Sequence, residues 1–203
     1  NASKPRYIWI DAAANFPDFA NSKENIARDL ALAKDAGFTD IVVDVRPTTG
    51  DVLFKTNLVD QVKFMYAWIG SNYTKVERTA TWDYLQAFVD EARKQGLRIH
   101  AAINTFVGGN QIDGGTGLLY RDQSKAEWAT QMNMQVGITS VMNTSESTKF
   151  FNPAHPEVQT FLCDLLKDLA GYDLDGIFLD RGRFLNLQAD FSEESRKQFE
   201  EYM

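Results

Sequence analysis

Cysteine, histidine and long apolar runs are scarce in this 203-residue sequence. Its one cysteine, Cys163, excludes an internal disulfide and a cysteine-based zinc site, and its place in an apolar helical pattern predicts that it is buried. The apolar runs fall far short of the roughly 20 residues that a membrane-spanning helix needs. We therefore expect no membrane span. Lys and Arg form no runs and the net charge is −7, so we also expect no nucleic-acid partner.

Signals for a bound cofactor are also missing. No G-x-G-x-x-G motif follows the first predicted strand, and the sequence has no G-x-x-x-x-G-K-[ST] motif. His100 has no further histidine or cysteine nearby that would complete a zinc site. The sequence therefore predicts no cofactor and no metal site. Its 44% hydrophobic and 12% aromatic residues are typical of a globular protein, and its length fits a single domain.

The main organising feature is a unit of helix, glycine and strand that occurs three times. In each copy, apolar residues at helical spacing lead to a glycine, and a short apolar strand follows. The glycines are Gly37, Gly96 and Gly171, and the predicted strands span 40–45, 98–104 and 175–180, with a first strand at 7–12. Ser192 is expected to cap a last helix with Phe199 and Met203 on its inner face.

Strands that alternate with helices run parallel, because a parallel neighbour requires a crossover connection. The pattern therefore predicts an α/β fold, either a barrel or a doubly wound sheet, and the missing phosphate loop favours the barrel. Two connections, over 47–81 and 105–153, are long, and both leave the carboxyl end of a strand. Ligands bind at that edge in parallel α/β folds.

Polar residues stand at the carboxyl end of every predicted strand; they are Asp11, Arg46, Asn104, Asp180, Arg181 and Arg183. Alternation along the fourth strand places Phe178 and Asp180 on one face, which points the carboxylate inward at the rim. A carboxylate there can attack an anomeric carbon or stabilise an oxocarbenium-like transition state. The structural alternative is an ion pair of Asp180 with Arg181 or Arg183.

Other polar residues carry weaker predictions. We expect Arg46 to orient Asp180 or Asp44, or to hold a carboxylate in bidentate geometry. His100 faces either the barrel interior near a substrate or a hydrogen-bond partner in the core. Asp44 and Asp51 are weaker candidates. Asp51 lies in a Thr-Thr-Gly-Asp turn sequence, where an aspartate commonly caps the backbone. Aromatic residues in the long loops agree with carbohydrate binding.

Several segments are similar to one known family. They are YIWI at 7–10, VRP at 45–47, GDVLFK at 50–55, HA at 100–101, NP at 152–153 and YDLDGIFLD at 172–180. In these segments the chain resembles the glycosyl hydrolase-like family 10, a bacterial family often labelled alpha-amylase-like. The segment at 46–56 has one residue more than the family's motif and Phe54 in place of Tyr. Phe178 stands where amylase-type strands have Arg.

The resemblance implies a (β/α)₈ TIM barrel that cleaves O-glycosidic bonds in an oligo- or polysaccharide. Asp180 would be the catalytic carboxylate, and Asp11, Arg46, His100, Asn104, Arg181 and Arg183 would lie near the sugar. Residues 1–203 would form one incomplete domain, the first four βα units, which the C-terminal half or another chain completes. The general acid would come from a later strand. The resemblance also implies a secreted or periplasmic, cell-envelope location.

Two alternatives stay open. A carbohydrate-binding barrel or scaffold without turnover is favoured by Phe178 and by the lack of a general acid in the first four units. A doubly wound sheet that binds another small ligand is weakened by the absence of a phosphate loop.

Overall fold

The computed structural model describes residues 4–203. The strands of this part are Tyr7–Ile10 (β1), Asp40–Arg46 (β2), Phe64–Ile69 (β3), Asn72–Glu77 (β4), Arg98–Asn104 (β5), Val107–Asn110 (β6), Gln131–Met134 (β7), Gly137–Ser140 (β8), Thr148–Phe150 (β9) and Gly176–Asp180 (β10). The α-helices are Ala12–Phe19 (α1), Lys23–Asp35 (α2), Tyr84–Gln95 (α3), Leu118–Arg121 (α4), Pro156–Leu169 (α5) and Glu193–Tyr202 (α6). Three short 3-10 helices lie at Ile112–Gly114, Gln123–Trp128 and Val141–Asn143.

A four-stranded parallel sheet forms the centre of the molecule, in the order β1, β2, β5 and β10. The predicted α/β fold with a parallel sheet is therefore confirmed. Consecutive βα units lie side by side, so the order within this sheet contains no reversal of the kind that marks a doubly wound fold. The three connections between sheet strands place the carboxyl ends of all four strands at one edge.

Helices α2, α3 and α5 cover one face of the sheet with apolar side chains. Each begins at a capping side chain: Ser22 accepts from the backbone N of Asn25 at 3.1 Å, and Asp83 and His155 cap α3 and α5 in the same way. Alternate residues of β2 and β5, such as Val43 and Ala101, are fully buried in the core that these helices form. The helix boundaries follow from the capping residues and the spacing of apolar residues.

The opposite face of the sheet carries aromatic side chains and is partly open. Tyr7, Trp9 and Phe178 are 48%, 45% and 38% exposed. The Phe178 ring contacts the other two edge-on, with centroids 6.1 Å from Tyr7 and 5.6 Å from Trp9. His100 packs beneath them, and Gly176 beside it has no room for a side chain, because a Cβ atom would lie 2.6 Å from His100 Nδ1.

Several details of the predicted pattern are wrong. The first strand ends at Ile10 because Asp11 caps α1, which the sequence pattern did not predict. Cys163 is exposed. The buried face of α5 contains Leu162 and Leu165, and Cys163 lies outside it. Phe199 and Met203 are also exposed, because the described part of the chain packs no apolar surface against α6.

No helix among residues 4–203 is both long enough and apolar enough to cross a bilayer.

Candidate active site

The predicted polar residues converge on a cavity of about 140 Å³ at the carboxyl edge of the sheet. Its lining includes Trp9, Asp11, Asp44, Asn104, Asp180 and Arg181. These residues come from the ends of all four parallel strands, as expected for the ligand-binding edge of a parallel α/β fold. Four of the seven predicted site residues therefore line one cavity, and Asp44 joins them.

Asp180 is the last residue of β10 and stands next to Asn104 of β5 in the strand register. Its carbonyl oxygen accepts from the backbone N and from Oγ1 of Thr105, both at 2.8 Å, which fixes the backbone at this point. Its carboxylate accepts from the backbone N of Arg181 at 2.8 Å. The side chain is exposed at the cavity, so the carboxylate is accessible to a ligand.

Arg181 adopts a left-handed backbone conformation with φ of 47°. Such a conformation costs energy in a residue with a side chain and is common at functional sites. It turns the chain sharply after β10 and brings the Arg181 amide onto the Asp180 carboxylate.

Asp11 and Asn104 are held by their own local bonds. The Asp11 carboxylate caps α1 by accepting from the backbone N of Ala14 at 2.7 Å. The Asn104 side-chain amide donates to the carbonyl oxygen of Arg46 at 2.9 Å. Both side chains are thereby fixed at the cavity wall, as a binding site requires.

Asp44 is the site residue that sequence reasoning ranked too low. It is buried at the cavity wall and accepts from the backbone N of Arg46 at 3.2 Å. Burial, together with the negative charges of Asp11 and Asp180, raises the pKa of Asp44 to about 7. Near neutral pH this carboxyl therefore carries a proton for much of the time and can donate a hydrogen bond. The alternation along β2 was the signal available in the sequence.

Arg46 does not have the predicted role. Its side chain is fully buried, and its guanidinium donates to the carbonyl oxygens of Asn104 at 2.6 Å, Thr105 at 3.1 Å and Val107. Burial lowers the pKa of Arg46 to about 10. The prediction that it orients Asp180 or holds a substrate carboxylate is wrong, because its donors point at the backbone that follows β5. Arg46 instead supports the wall of the cavity.

Arg183 and His100 also lie away from the cavity. The Arg183 guanidinium donates to the carbonyl oxygens of Phe184 at 2.9 Å and Leu185 at 2.6 Å, so it does not form the ion pair with Asp180 that was the structural alternative. His100 Nε2 lies 2.7 Å from Asp40 Oδ2 inside the sheet. His100 therefore lies on the open face of the sheet with its ring hydrogen-bonded to Asp40, and it does not reach the cavity.

Asp51 is buried and forms an ion pair with Arg121, so its carboxylate has a structural partner different from the turn backbone that the sequence predicted. Among residues 4–203, no group of three or more histidine, cysteine or acidic side chains is arranged to hold a metal ion.

Comparison with known sequences gives one family and one curated relative. The model of the family described as Glycosyl hydrolase-like 10 matches residues 4–202. An S-layer-related protein from Niallia circulans is 30% identical over 209 residues, covering all of this chain. This chain spans 13% of the length of that relative.

Comparison with solved structures supports the fold. The alpha-L-fucosidase isoenzyme 2 from Paenibacillus thiaminolyticus matches 98% of this chain with 26% of its own length, at a TM-score of 0.62 and 17% identity. A hypothetical protein from Ruminiclostridium thermocellum matches 97% of this chain with 90% of its own length, at a TM-score of 0.58 and 15% identity. An alpha-galactosidase from Geobacillus stearothermophilus matches 87% of this chain with 21% of its own length, at a TM-score of 0.51 and 12% identity. At these identities the likeness concerns the fold alone.

Proposed function

Because the chain belongs to the glycosyl hydrolase-like 10 family, we propose that it forms part of a glycoside hydrolase that cleaves O-glycosidic bonds in an oligo- or polysaccharide. The observation that carries the proposal is the accessible Asp180 carboxylate at the carboxyl end of β10, in one cavity with Asp11, Asp44 and Asn104. A cluster of carboxyl groups at the catalytic edge of a parallel α/β fold is the arrangement that glycoside hydrolysis uses.

In the proposed mechanism, Asp180 attacks the anomeric carbon or stabilises the positive charge that develops there. The backbone N of Arg181 holds the carboxylate in position. Asp44, with its raised pKa, donates a hydrogen bond to a sugar hydroxyl near neutral pH, while Asp11 and Asn104 accept or donate at neighbouring hydroxyls. The bond to the leaving group breaks as its oxygen takes a proton from a general acid on a later strand. A water molecule then adds to the anomeric carbon and frees Asp180 where a glycosyl ester has formed.

We also propose that these four βα units are the first half of a (β/α)₈ TIM barrel. The strand order is sequential, and the face opposite the helices carries the half-exposed rings of Tyr7, Trp9 and Phe178. Further strands would enclose those rings as the interior of the barrel. Either the remainder of a longer chain or another chain could supply them. Small-angle scattering of the full-length protein tests this proposal, since an open sheet and a closed barrel differ in their distance distributions.

A cell-envelope location is proposed on the strength of the S-layer-related relative. Fractionation of the producing cell with an antibody to this chain tests it, and recovery in the cytosolic fraction alone would contradict it.

A carbohydrate-binding barrel without turnover is the second candidate function. The observation that favours it is Phe178, which occupies the site face of β10 two residues before Asp180, where amylase-type strands have Arg. Asp180 would then be a ligand-binding residue with no chemical step.

The test uses the full-length protein and a panel of soluble oligosaccharides, with chromatographic detection of products. Asp180→Asn should reduce turnover by a factor on the order of 10⁴ or more, because it removes the attacking or charge-stabilising group. The matched control is Asp164→Asn, which changes a half-exposed carboxylate on α5 that pairs with Lys167, and it should keep full turnover. Retained turnover in Asp180→Asn would remove Asp180 from the mechanism, and binding without turnover by the wild type would favour the second candidate.

A further inference from the structure

The β3–β4 hairpin presents an aromatic surface to solvent beside the candidate active site. Alternation along β3 places Phe64, Tyr66 and Trp68 on one face, and the antiparallel register places Tyr73 opposite Trp68 and Lys75 opposite Tyr66. The intervening residues of β3, such as Met65, face inward and are buried. Trp68 is 69% exposed and Tyr73 is 57% exposed, so these two rings are not part of the core.

The rings form a continuous series. Tyr66 and Tyr73 stack with centroids 5.3 Å apart and planes 28° apart, and Trp68 lies against Tyr73 at 5.2 Å and 41°. Lys75 lies over the Phe64 ring at 4.4 Å. Asp113 fixes the series from the neighbouring loop, because it accepts from the Tyr66 hydroxyl and from Lys75 Nζ, both at 2.8 Å. The aromatic surface is therefore held in one orientation.

A groove of about 340 Å³ lies along part of this surface and adjoins the Asp180 cavity. Phe64, Tyr66 and Tyr73 form one wall of the groove. The rest of the lining combines the apolar residues Ala13, Met65 and Ile112 with neutral polar residues, which are Thr48, Thr49, Asn110, Gln111 and Ser147. The groove and the Asp180 cavity share Ala13, Thr48 and Met65 as lining residues. A ligand in the cavity could therefore extend along the groove without leaving the protein surface.

We propose that the aromatic face of the β3–β4 hairpin binds further sugar rings of an extended substrate chain whose reacting bond lies at Asp180. This inference rests on the proposed function and deepens it, because it assigns the substrate to neutral oligo- or polysaccharides rather than to single terminal sugars. Aromatic rings bury the apolar faces of sugar rings. Amide and hydroxyl side chains such as Asn110, Gln111 and Ser147 match sugar hydroxyls as donors and acceptors.

A neutral chain is favoured over a polyanionic one by the charges at the groove. Its wall contains neutral polar residues, and the nearby Lys75 is already paired with Asp113. The protein carries a net charge of −7, which repels a polyanion.

The experiment measures binding calorimetrically in the full-length protein that carries Asp180→Asn, so that turnover does not interfere. The probes are maltohexaose, cellohexaose and chitohexaose, each compared with the methyl glycoside of its monosaccharide. Trp68→Ala and Tyr73→Ala are introduced separately. The matched control is Tyr202→Ala, which removes an aromatic ring that is 86% exposed on α6.

We expect Trp68→Ala and Tyr73→Ala each to weaken binding of at least one hexasaccharide by about tenfold, because each removes most of one aromatic side chain from the contact. Binding of the methyl glycoside and the behaviour of Tyr202→Ala should be unchanged. If every hexasaccharide binds Trp68→Ala and the control equally well, the inference is wrong. A lower melting temperature without any change in binding would also overturn it, since the rings would then pack against another part of the full-length protein.

The two proposals can fail separately. If Asp180→Asn retains turnover but Trp68→Ala still weakens hexasaccharide binding, the catalytic assignment fails and the aromatic surface stands. If Asp180→Asn abolishes turnover and Trp68→Ala has no effect on hexasaccharide binding, the catalytic assignment stands and the aromatic surface is excluded as a sugar site.

Discussion

Replacing Asp44 with Asn should change how the stability of the protein depends on pH. In the folded protein, burial raises the pKa of Asp44 from an ordinary value of 3.8 to about 7. The folded state therefore holds a proton more tightly than the unfolded chain does. The stabilisation from this proton is complete below pH 3.8 and is lost as the pH rises towards 7.

The magnitude follows from the two pKa values. Each pKa unit corresponds to about 1.4 kcal/mol, so the rise from 3.8 to about 7 predicts that Asp44 lowers the free energy of unfolding by about 4 kcal/mol between pH 4 and pH 8. Asn has nearly the same shape, can accept from the backbone N of Arg46 in the same way, and does not ionise. Asp44→Asn should therefore be more stable than the wild type at pH 8 and similar to it at pH 4.

Urea unfolding followed by tryptophan fluorescence measures this difference, since the sequence contains four tryptophans. The quantity of interest is the free energy of unfolding of Asp44→Asn minus that of the wild type, at each pH from 4 to 8. Carboxylates that do not interact with Asp44 titrate equally in both proteins and cancel in the difference, whereas Asp11 and Asp180 are coupled to it. A difference that stays constant across this range would refute the reasoning, because Asp44 would then have the same pKa in the folded and unfolded states.

Three further predictions concern one group that supports the cavity wall, Arg46, and two that hold the sheet together, Asp40 and Gly176. Arg46→Met should lower the free energy of unfolding by roughly 3–5 kcal/mol, measured in urea, because three buried carbonyl oxygens lose their donor; a loss below about 1 kcal/mol would contradict the assignment. Asp40 is buried, which by itself would raise its pKa, but hydrogen bonds from Arg98, Thr39 and His100 bring that pKa below 3.8. The stabilisation that ionised Asp40 provides is present above pH 3.8 and is lost as the pH falls through the folded pKa. Asp40→Asn should therefore lower the free energy of unfolding by roughly 1–3 kcal/mol at pH 7 and by less at pH 3. An equal loss at the two pH values would argue against the ion pair. Gly176→Ala should lower the melting temperature in calorimetry, with a cost of about 1–3 kcal/mol, because its Cβ would lie 2.6 Å from His100 Nδ1; an unchanged melting temperature would show that the ring can move aside.

The parallel sheet could be predicted from sequence because its signals are local. The β2 and β5 strands are runs of apolar residues between a helix-ending glycine and a polar edge, and β5 has the predicted boundaries, 98–104. Ser22 caps α2 through a bond that spans three residues. Interactions of this range are encoded in the spacing of the sequence itself.

The roles of individual site residues depended on contacts between distant parts of the chain. Arg46 binds carbonyl oxygens 58, 59 and 61 residues further along, and no local pattern predicts those partners. Asp44 acquires its raised pKa from burial and from the approach of Asp11 and Asp180, which only the assembled sheet provides. The position of Asp180 at the cavity could be predicted, because the end of a strand is a local feature of the sequence.

The aromatic hairpin lies between these two cases. The sequence of β3 alternates aromatic and smaller apolar residues, which is typical of a strand. It lies inside the connection 47–81, for which the repeated helix and strand units predict no structure. Its rings are numerous in the sequence, yet their common face depends on the pairing of Trp68 with Tyr73 across the turn. The inward side of β3, where Met65 lines both the cavity and the groove, places the aromatic surface beside the cavity.

The central claim is that Asp180 performs the chemistry of glycosidic cleavage. The most direct measurement combines calorimetric binding and product release for wild-type and Asp180→Asn full-length protein on the same oligosaccharide. We expect the variant to bind the oligosaccharide with an affinity within about tenfold of the wild type and to release no product. Product release by Asp180→Asn at the wild-type rate would contradict it.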